Sequence, residues 1–204
     1  HTYLKKNNTM IRIAQESDIA EMLAIYAPFV EKTAITFDLE LPTLAEFTAK
    51  IQKIQKEAPC LVYDLDGVVL GYTYAGGHRS NAAYKWTREL SVYIREDARK
   101  KKYGMALYAS MIELLKCQNY RTVLAGITLP NIPSVNFHER FGFYPVGVYD
   151  NVGYKLGKSH RVGWWQLMLG DYQESAKEII SIDQVLATEE GQKALKRGEA
   201  RILV

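Results

Sequence analysis

Along most of the chain apolar and polar residues alternate in short runs, and in a few longer stretches the apolar spacing changes to three and four. That pattern predicts strands interleaved with helices. The densest signal runs from Trp86 to Leu115. Leu90, Val92 and Ile94 alternate with Ser91, Tyr93 and Arg95, which predicts a half-buried strand. From Tyr103 onward Ala106, Leu107, Met111, Leu114 and Leu115 recur on one face of a helix. Between strand and helix, Arg99, Lys100, Lys101 and Lys102 form a run of cations that ends at Tyr103-Gly104, in the helix's first turn.

The other elements follow in order. Met10–Ala14 predicts a first strand, and Ser17 or Asp18 can cap a helix that turns Ile19, Met22, Leu23, Tyr26 and Val30 inward. Residues 31–41 are irregular. Thr43 and Glu46 have capping-box spacing for a second helix that reaches about Glu57. Cys60–Tyr63 and Val68–Ala75 read as strands joined at Asp66-Gly67, a hairpin signal. Thr122–Ile127 predicts a strand, and Asn131 or Pro133-Ser134 opens a helix to about Arg140 that Gly142 ends. Phe143–Val148, Val152–Leu156 and Gly163–Leu169 predict the last strands, with Gly157-Lys158 as a turn. This order implies an α/β chain with a mixed (α+β) sheet, rather than an alternating array of parallel strands. Residues 1–9 are expected to be an upstream remnant, 10–170 the folded domain, and 171–204 a charged, partly helical extension that docks, dimerises or stays loose.

At 204 residues and 48% hydrophobic content, the chain can bury one core. A net charge of +3 is too small to require a nucleic-acid partner. No apolar run reaches the ~18 residues of a membrane span. No secretory leader is visible, and Cys60 and Cys117 read as small packed residues, so the expected setting is the cytoplasm.

The cationic run gives the first functional reading. A helix N-terminus presents unpaired N–H groups and partial positive charge, and Gly104 lets a ligand approach the backbone, so the junction suits a phosphate or pyrophosphate. A solvated basic loop is the plain alternative. Neither GxGxxG nor GxxxxGK[ST] is present.

The segment Lys101-Lys102-Tyr103-Gly104-Met105-Ala106 resembles the Arg/Gln-x-x-Gly-x-Gly/Ala acetyl-CoA signature of the GNAT superfamily of N-acetyltransferases, with Lys102 where a second glycine is common. Further blocks at 10–14, 33–37, 83–94, 129–143 and 152–167 are similar to its phosphinothricin and methionine sulfoximine N-acetyltransferase group. The resemblance covers about residues 10–170. It implies the GNAT acyl-CoA N-acyltransferase fold, acetyl-CoA as co-substrate, no metal, a small amine acceptor and a homodimer, with no nucleic-acid or membrane partner.

Acetyl transfer to an amine needs a free lone pair, a held and polarised thioester, and a stabilised thiolate. Glu89, beside Leu90, is the candidate base, since partial burial would raise its pKa; a surface glutamate paired with Arg88 or Arg95 is the alternative. The resemblance places His138 where relatives carry the group that protonates the thiolate. An ordinary imidazole is roughly a quarter protonated at pH 7, although a packed core histidine is equally natural beside Phe137 and Phe141. The resemblance also assigns the cofactor to Leu90, Val92, Ile94, Arg99, Lys100, Lys101, Lys102, Tyr103, Gly104, Met105, Ala106, Asn131 and Ser134, though Asn131 and Ser134 could simply cap a helix. It assigns the acceptor to Thr36, Phe37, Arg79 and Tyr84. His160-Arg161 departs from the group, which commonly has an acidic residue after the histidine, and Asn81 stands where relatives often carry arginine. The competing readings are acetylation of a peptide N-terminus or a polyamine, a non-catalytic acyl-CoA sensor, and a nucleic-acid binder with steeply salt-dependent affinity.

Overall fold

The computed structural model describes residues 9–202, so residues 1–8 of the expected upstream remnant lie outside the described part. The elements are β1 (Thr9–Ile13), α1 (Ile19–Lys32), α2 (Leu44–Gln55), β2 (Cys60–Leu65), β3 (Val68–Gly77), β4 (Thr87–Ile94), α3 (Tyr103–Cys117), β5 (Thr122–Leu129), α4 (Ile132–Glu139), β6 (Tyr144–Lys155), β7 (Lys158–Met168), α5 (Ile182–Leu186) and α6 (Glu189–Lys196). The strands form one seven-stranded sheet in the order β1-β2-β3-β4-β5-β7-β6.

Local chemistry sets several of these boundaries. Asp66 and Gly67 take φ of +53° and +85°, the left-handed pair that a two-residue hairpin requires. The Thr43–Glu46 capping box forms in both directions at the start of α2. Asp18 does not cap α1 through its side chain. Its carboxylate instead accepts from Gln15 N–H at 2.7 Å and from both terminal nitrogens of Arg12 at 2.6 and 2.8 Å. Burial alone would push that carboxyl up, but the guanidinium and the backbone N–H hold it below the usual range.

Alternation along the strands feeds two cores. On one face Leu61, Tyr63, Leu70, Leu90 and Val123 pack with Leu107, Met111 and Leu114 of α3. On the other, Val62, Tyr72 and Tyr93 pack with Met22, Tyr26, Phe47 and Ile51 of α1 and α2. Each fully buried aliphatic side chain contributes roughly 1.5–3 kcal/mol. The α3 face is therefore fixed by several such groups at once.

Two sequence expectations are corrected. The strands predicted at 143–148 and 152–156 are one strand, β6, whose pairing with β7 is interrupted between Tyr149 and Gly153. Asp150-Asn151 looks like a turn, but Asn151 at φ +51° is absorbed as an irregularity inside the ladder. The following turn is Leu156-Gly157, with φ of +54° and +75°, one residue earlier than expected, and β7 begins at Lys158 rather than near Gly163.

The extension is folded onto the domain. Val185 and Ala194 are buried in the α3 core, Ser110 Oγ donates to Leu195 O at 2.7 Å, and Gly198 N donates to Ser110 Oγ at 2.9 Å. Glu199 accepts from the Ile11 N–H at 2.9 Å, tying the extension to β1. Among the described residues no helix is long and apolar enough to cross a membrane.

A Cβ on Gly198 would collide with the Ala106 carbonyl, a backbone atom in α3 that cannot step aside. Gly198→Ala is therefore expected to cost about 1–3 kcal/mol of stability, measured by urea unfolding. An unchanged midpoint would mean that the extension is not seated on α3.

Candidate active site

The site begins where the sheet comes apart. β4 and β5 are the only parallel neighbours among the described strands, and they pair only from Thr87–Glu89 to Thr122–Leu124. Beyond Glu89, β4 stays on β3 through Ile94, while β5 stays on β7 through Leu129. The β5-facing edge of β4 from Leu90 to Ile94 thus has no strand partner among the described residues. Apart from the Ile94 carbonyl, which accepts from Arg99 Nε at 3.5 Å, its backbone groups can take up an extended ligand as an added strand would.

A cleft of about 430 Å³ opens beside this divergence. Val92 and Ile94 line it from β4, Phe29 from α1, Asn131, Ser134 and His138 from the α4 segment, and Arg99, Lys100, Lys102, Tyr103, Gly104 and Met105 from the start of α3. Three expected cofactor residues do not line it: Leu90 and Ala106 are buried in the core, and Lys101 is exposed outside the wall. Asn131 caps α4, its side chain accepting from Ser134 N–H at 3.2 Å.

The mouth of the cleft is electropositive. Lys100 and Lys102 adopt φ of +63° and +65°, and Lys102 is the N-cap of α3. A lysine in the left-handed region carries strain on the order of 1 kcal/mol. The position where relatives commonly have glycine is therefore one whose backbone favours glycine, and the loop keeps that shape with a cation in place. The first helical N–H groups of α3 open toward the same end, beside Gly104.

His138 forms part of the inner wall and is 6% exposed. Its Nδ1 is 2.8 Å from the Ser134 carbonyl, which can only accept, so Nδ1 carries the proton. Nε2 is 3.1 Å from the Tyr108 hydroxyl and accepts from it. Burial lowers the imidazole pKa, and the Ser134 carbonyl offsets this only in part. The quarter-protonated imidazole expected from an ordinary pKa is thus replaced by a neutral ring bonded at both nitrogens. Tyr108, fully buried in α3, was not singled out in the sequence because it sits within the helix's apolar pattern.

Glu89 lies on the other face of the sheet. Arg88 turns away, donating to Glu57 at 2.6 Å and to Tyr120 at 2.7 Å, and Arg95 pairs with Asp97, so neither arginine takes the expected place beside Glu89. The partner is His78, whose Nδ1 is 2.5 Å from Glu89 Oε1. Glu89 sits opposite Gly76 in the β3–β4 ladder, and His78, two residues further on, reaches it diagonally. Only the register of the two strands reveals this pair, which is why sequence reasoning missed His78.

The expected acceptor residues fall in two places. The Arg79 guanidinium stands over the Tyr84 ring at 5.9 Å, and both line a separate cavity of about 450 Å³ that shares no residue with the cleft. Tyr84 also touches His78, with ring centroids 5.5 Å apart. Thr36 and Phe37 lie elsewhere. Thr36 Oγ1 is 2.6 Å from the Tyr26 hydroxyl, which donates to Asp38 at 2.5 Å, and Phe37 packs on Gly153 of β6. Tyr26 meets Tyr93 edge to face at 4.9 Å, so this block joins the β4 face that carries Glu89. His160 donates to Lys155 O within the β6–β7 hairpin, and Arg161 pairs with Asp150 at its surface. Among the described residues no cluster of three metal-ligating side chains occurs.

With this geometry in place, comparison with known proteins is direct. Residues 11–161 match the acetyltransferase (GNAT) domain family. A phosphinothricin N-acetyltransferase of Streptomyces viridochromogenes is 35% identical over 76% of this chain and 85% of its own length. An L-methionine sulfoximine/L-methionine sulfone acetyltransferase of Pseudomonas aeruginosa is 34% identical over 78% of this chain and 94% of its own. The crystal structure of a phosphinothricin acetyltransferase from Sinorhizobium meliloti in complex with AcCoA superposes with a TM-score of 0.80 at 27% identity, covering 83% of this chain and 94% of that one. The chain belongs to the GNAT family and is an N-acetyltransferase.

The state of His138 has a measurable consequence. Its folded pKa lies below its unfolded value, so as pH falls through the ordinary imidazole range the unfolded chain takes up a proton that the folded chain refuses. Stability is expected to drop as pH falls below about 6.5, and His138→Gln should flatten that slope in thermal melts. The Asp18 contribution is lost only at lower pH, as its depressed carboxyl is protonated. An identical slope in wild type and variant would remove the sealed neutral ring from the account.

Proposed function

We propose that this acetyltransferase moves the acetyl group of acetyl-CoA to the amine of a small amino acid or analogue of the phosphinothricin, methionine sulfoximine or methionine sulfone type. The observation that carries the reading is the divergence of β4 from β5, a cleft that runs from a basic helix start to the strand bearing Glu89. The pyrophosphate lies at the α3 N-terminus against Arg99, Lys100 and Lys102, with Lys101 adding charge from outside the wall. The pantetheine arm follows the open edge of Leu90, Val92 and Ile94, with Tyr103, Gly104, Met105, Asn131 and Ser134 around it; Ala106 supports the helix from beneath.

In the reaction, Glu89 draws a proton from the acceptor ammonium, directly or through water, and frees the lone pair that attacks the thioester. The N–C bond forms, the C–S bond breaks, and the thiolate leaves beside His138. That neutral ring, bonded to Ser134 O at Nδ1 and to the Tyr108 hydroxyl at Nε2, is a fixed polar wall beside the departing sulfur, and the thiolate takes up its proton from water. Arg79 can pair bidentately with the acceptor's carboxylate or phosphinate. Tyr84, Thr36 and Phe37 bound the acceptor's path.

This reading includes a homodimer through β6, an edge strand on which Val146, Val148 and Val152 are each about half exposed. It also includes a cytoplasmic setting, in which the free Cys60 and Cys117 stay reduced.

Thiol release from acetyl-CoA, followed with phosphinothricin, methionine sulfoximine, methionine sulfone, spermidine and a short peptide, tests the proposal. Turnover is expected with the amino-acid analogues, and Glu89→Gln should lower kcat by about 10²–10⁴-fold. Turnover confined to spermidine or the peptide would replace the acceptor class. Full activity in Glu89→Gln would remove Glu89 from the mechanism.

A further inference from the structure

His78 and Glu89 form a 2.5 Å contact between titratable side chains in the neighbourhood of the proposed reaction, and the activity described above does not yet use the histidine. The contact comes from backbone register. Gly76 faces Glu89 across the β3–β4 ladder with no side chain, and this leaves room for His78 to fold back onto the carboxylate. A carboxylate oxygen only accepts, so the 2.5 Å contact places the proton of the neutral ring on Nδ1. The lone pair is then on Nε2, for which no partner occurs among the described residues. The ring is also fixed in plane: Tyr84 meets it edge-on at 5.5 Å and Trp164 at 6.1 Å. Trp164 reaches it from β7 by lying over Gly126 of β5, where a Cβ would come within 3.3 Å of the indole. His78 and Glu89 are both partly open, their side chains 19% and 34% exposed.

We propose that His78 Nε2 is the group that takes the proton from the acceptor amine, and that Glu89 orients the imidazole and stabilises the imidazolium that forms. This rests on the acetyl-transfer reading above and sets His78 between Glu89 and the amine. A histidine held in one tautomer by a carboxylate, with its other nitrogen free, is the arrangement by which a general base is aimed and strengthened. The balance is simple. The acceptor ammonium gives one proton to Nε2, which passes it to solvent. The free amine attacks the thioester carbon, and the second N–H proton leaves through Nε2 as the C–S bond breaks. The thiolate takes up one proton to leave as the thiol, so one proton is released per turnover. The groups that meet His78 among the described residues are Glu89 from β4, Tyr84 from its own loop and the indole of Trp164 from β7, and the Arg79 guanidinium stands over the Tyr84 ring.

The test compares wild type, His78→Gln, His78→Gly and Glu89→Gln, with acetyl-CoA affinity measured for each as a check on the fold. His78→Gln keeps a donor for Glu89 but has no base. It is expected to lower kcat at least ~100-fold, leave acetyl-CoA affinity within about twofold and remove the acidic limb of the kcat/KM profile. Added imidazole should restore part of the activity of His78→Gly and none of that of Glu89→Gln. A His78→Gln enzyme within about threefold of wild type, with the same acidic limb, would overturn the proposal and leave Glu89 acting alone. If wild type turns over no amine, the acceptor reading has failed instead. The pair is then judged by ¹⁵N NMR of the His78 ring, where an Nδ1–H tautomer that Glu89→Gln abolishes supports it and an Nε2–H tautomer overturns it.

Discussion

The structure depends on one constraint: β4 cannot follow both of its neighbours. It is held by β3 from Arg88 to Ile94 and by β5 only as far as Glu89, because β5 is committed to β7 through Leu129. The sheet therefore has a closed seam at one end and an open wedge at the other. Backbone groups in a wedge need partners, and a cofactor with an extended amide-bearing arm can supply them. The same divergence puts Glu89 at the apex, with α3 entering beneath and its N-terminus at the mouth. Binding geometry and reaction geometry thus follow from one choice of strand partners.

Two histidines near this wedge show how environment divides a single side-chain type. His138 is sealed between Tyr108 and Ser134, both nitrogens are bonded, and burial favours the neutral form. His78 is bonded on one side and open on the other. The first suits a fixed polar wall, and the second suits a base that exchanges with solvent. The cations divide similarly. Arg88 is buried and spent on Glu57 and Tyr120, whereas Arg99 and Lys100 remain exposed at the mouth, where an anionic ligand can reach them.

Much of this was legible in the sequence because it is local. The Asp66-Gly67 hairpin, the Thr43–Glu46 box, the strand through Leu90 and Ile94 and the apolar face of α3 are each set by residues within a few positions of one another. The cationic run pointed to the mouth of the cleft for the same reason. What escaped depends on register or on tertiary cover. Asp150-Asn151 has turn chemistry, yet the long pairing of β6 with β7 holds it in the strand. Leu156 at positive φ is an unfavourable turn residue that the hairpin imposes. The weak pattern of the extension concealed how Val185, Ala194 and Gly198 fit against α3. Neither the His78–Glu89 contact nor the Tyr108–His138 contact can be read from spacing, since residues 11 and 30 positions apart are brought together only by the folded sheet and its helices.

Hydrogen exchange read by mass spectrometry with and without acetyl-CoA addresses the central claim most directly, because it reports on the wedge itself. If the cofactor completes the open edge of β4, saturating acetyl-CoA should slow exchange in peptides covering 90–94, 99–106 and 131–138, and leave 79–86 and 179–181 unchanged. Protection confined to the cavity at 79–88 and 179–181, or no protection at any segment, would contradict the assignment of the wedge as the acetyl-CoA site.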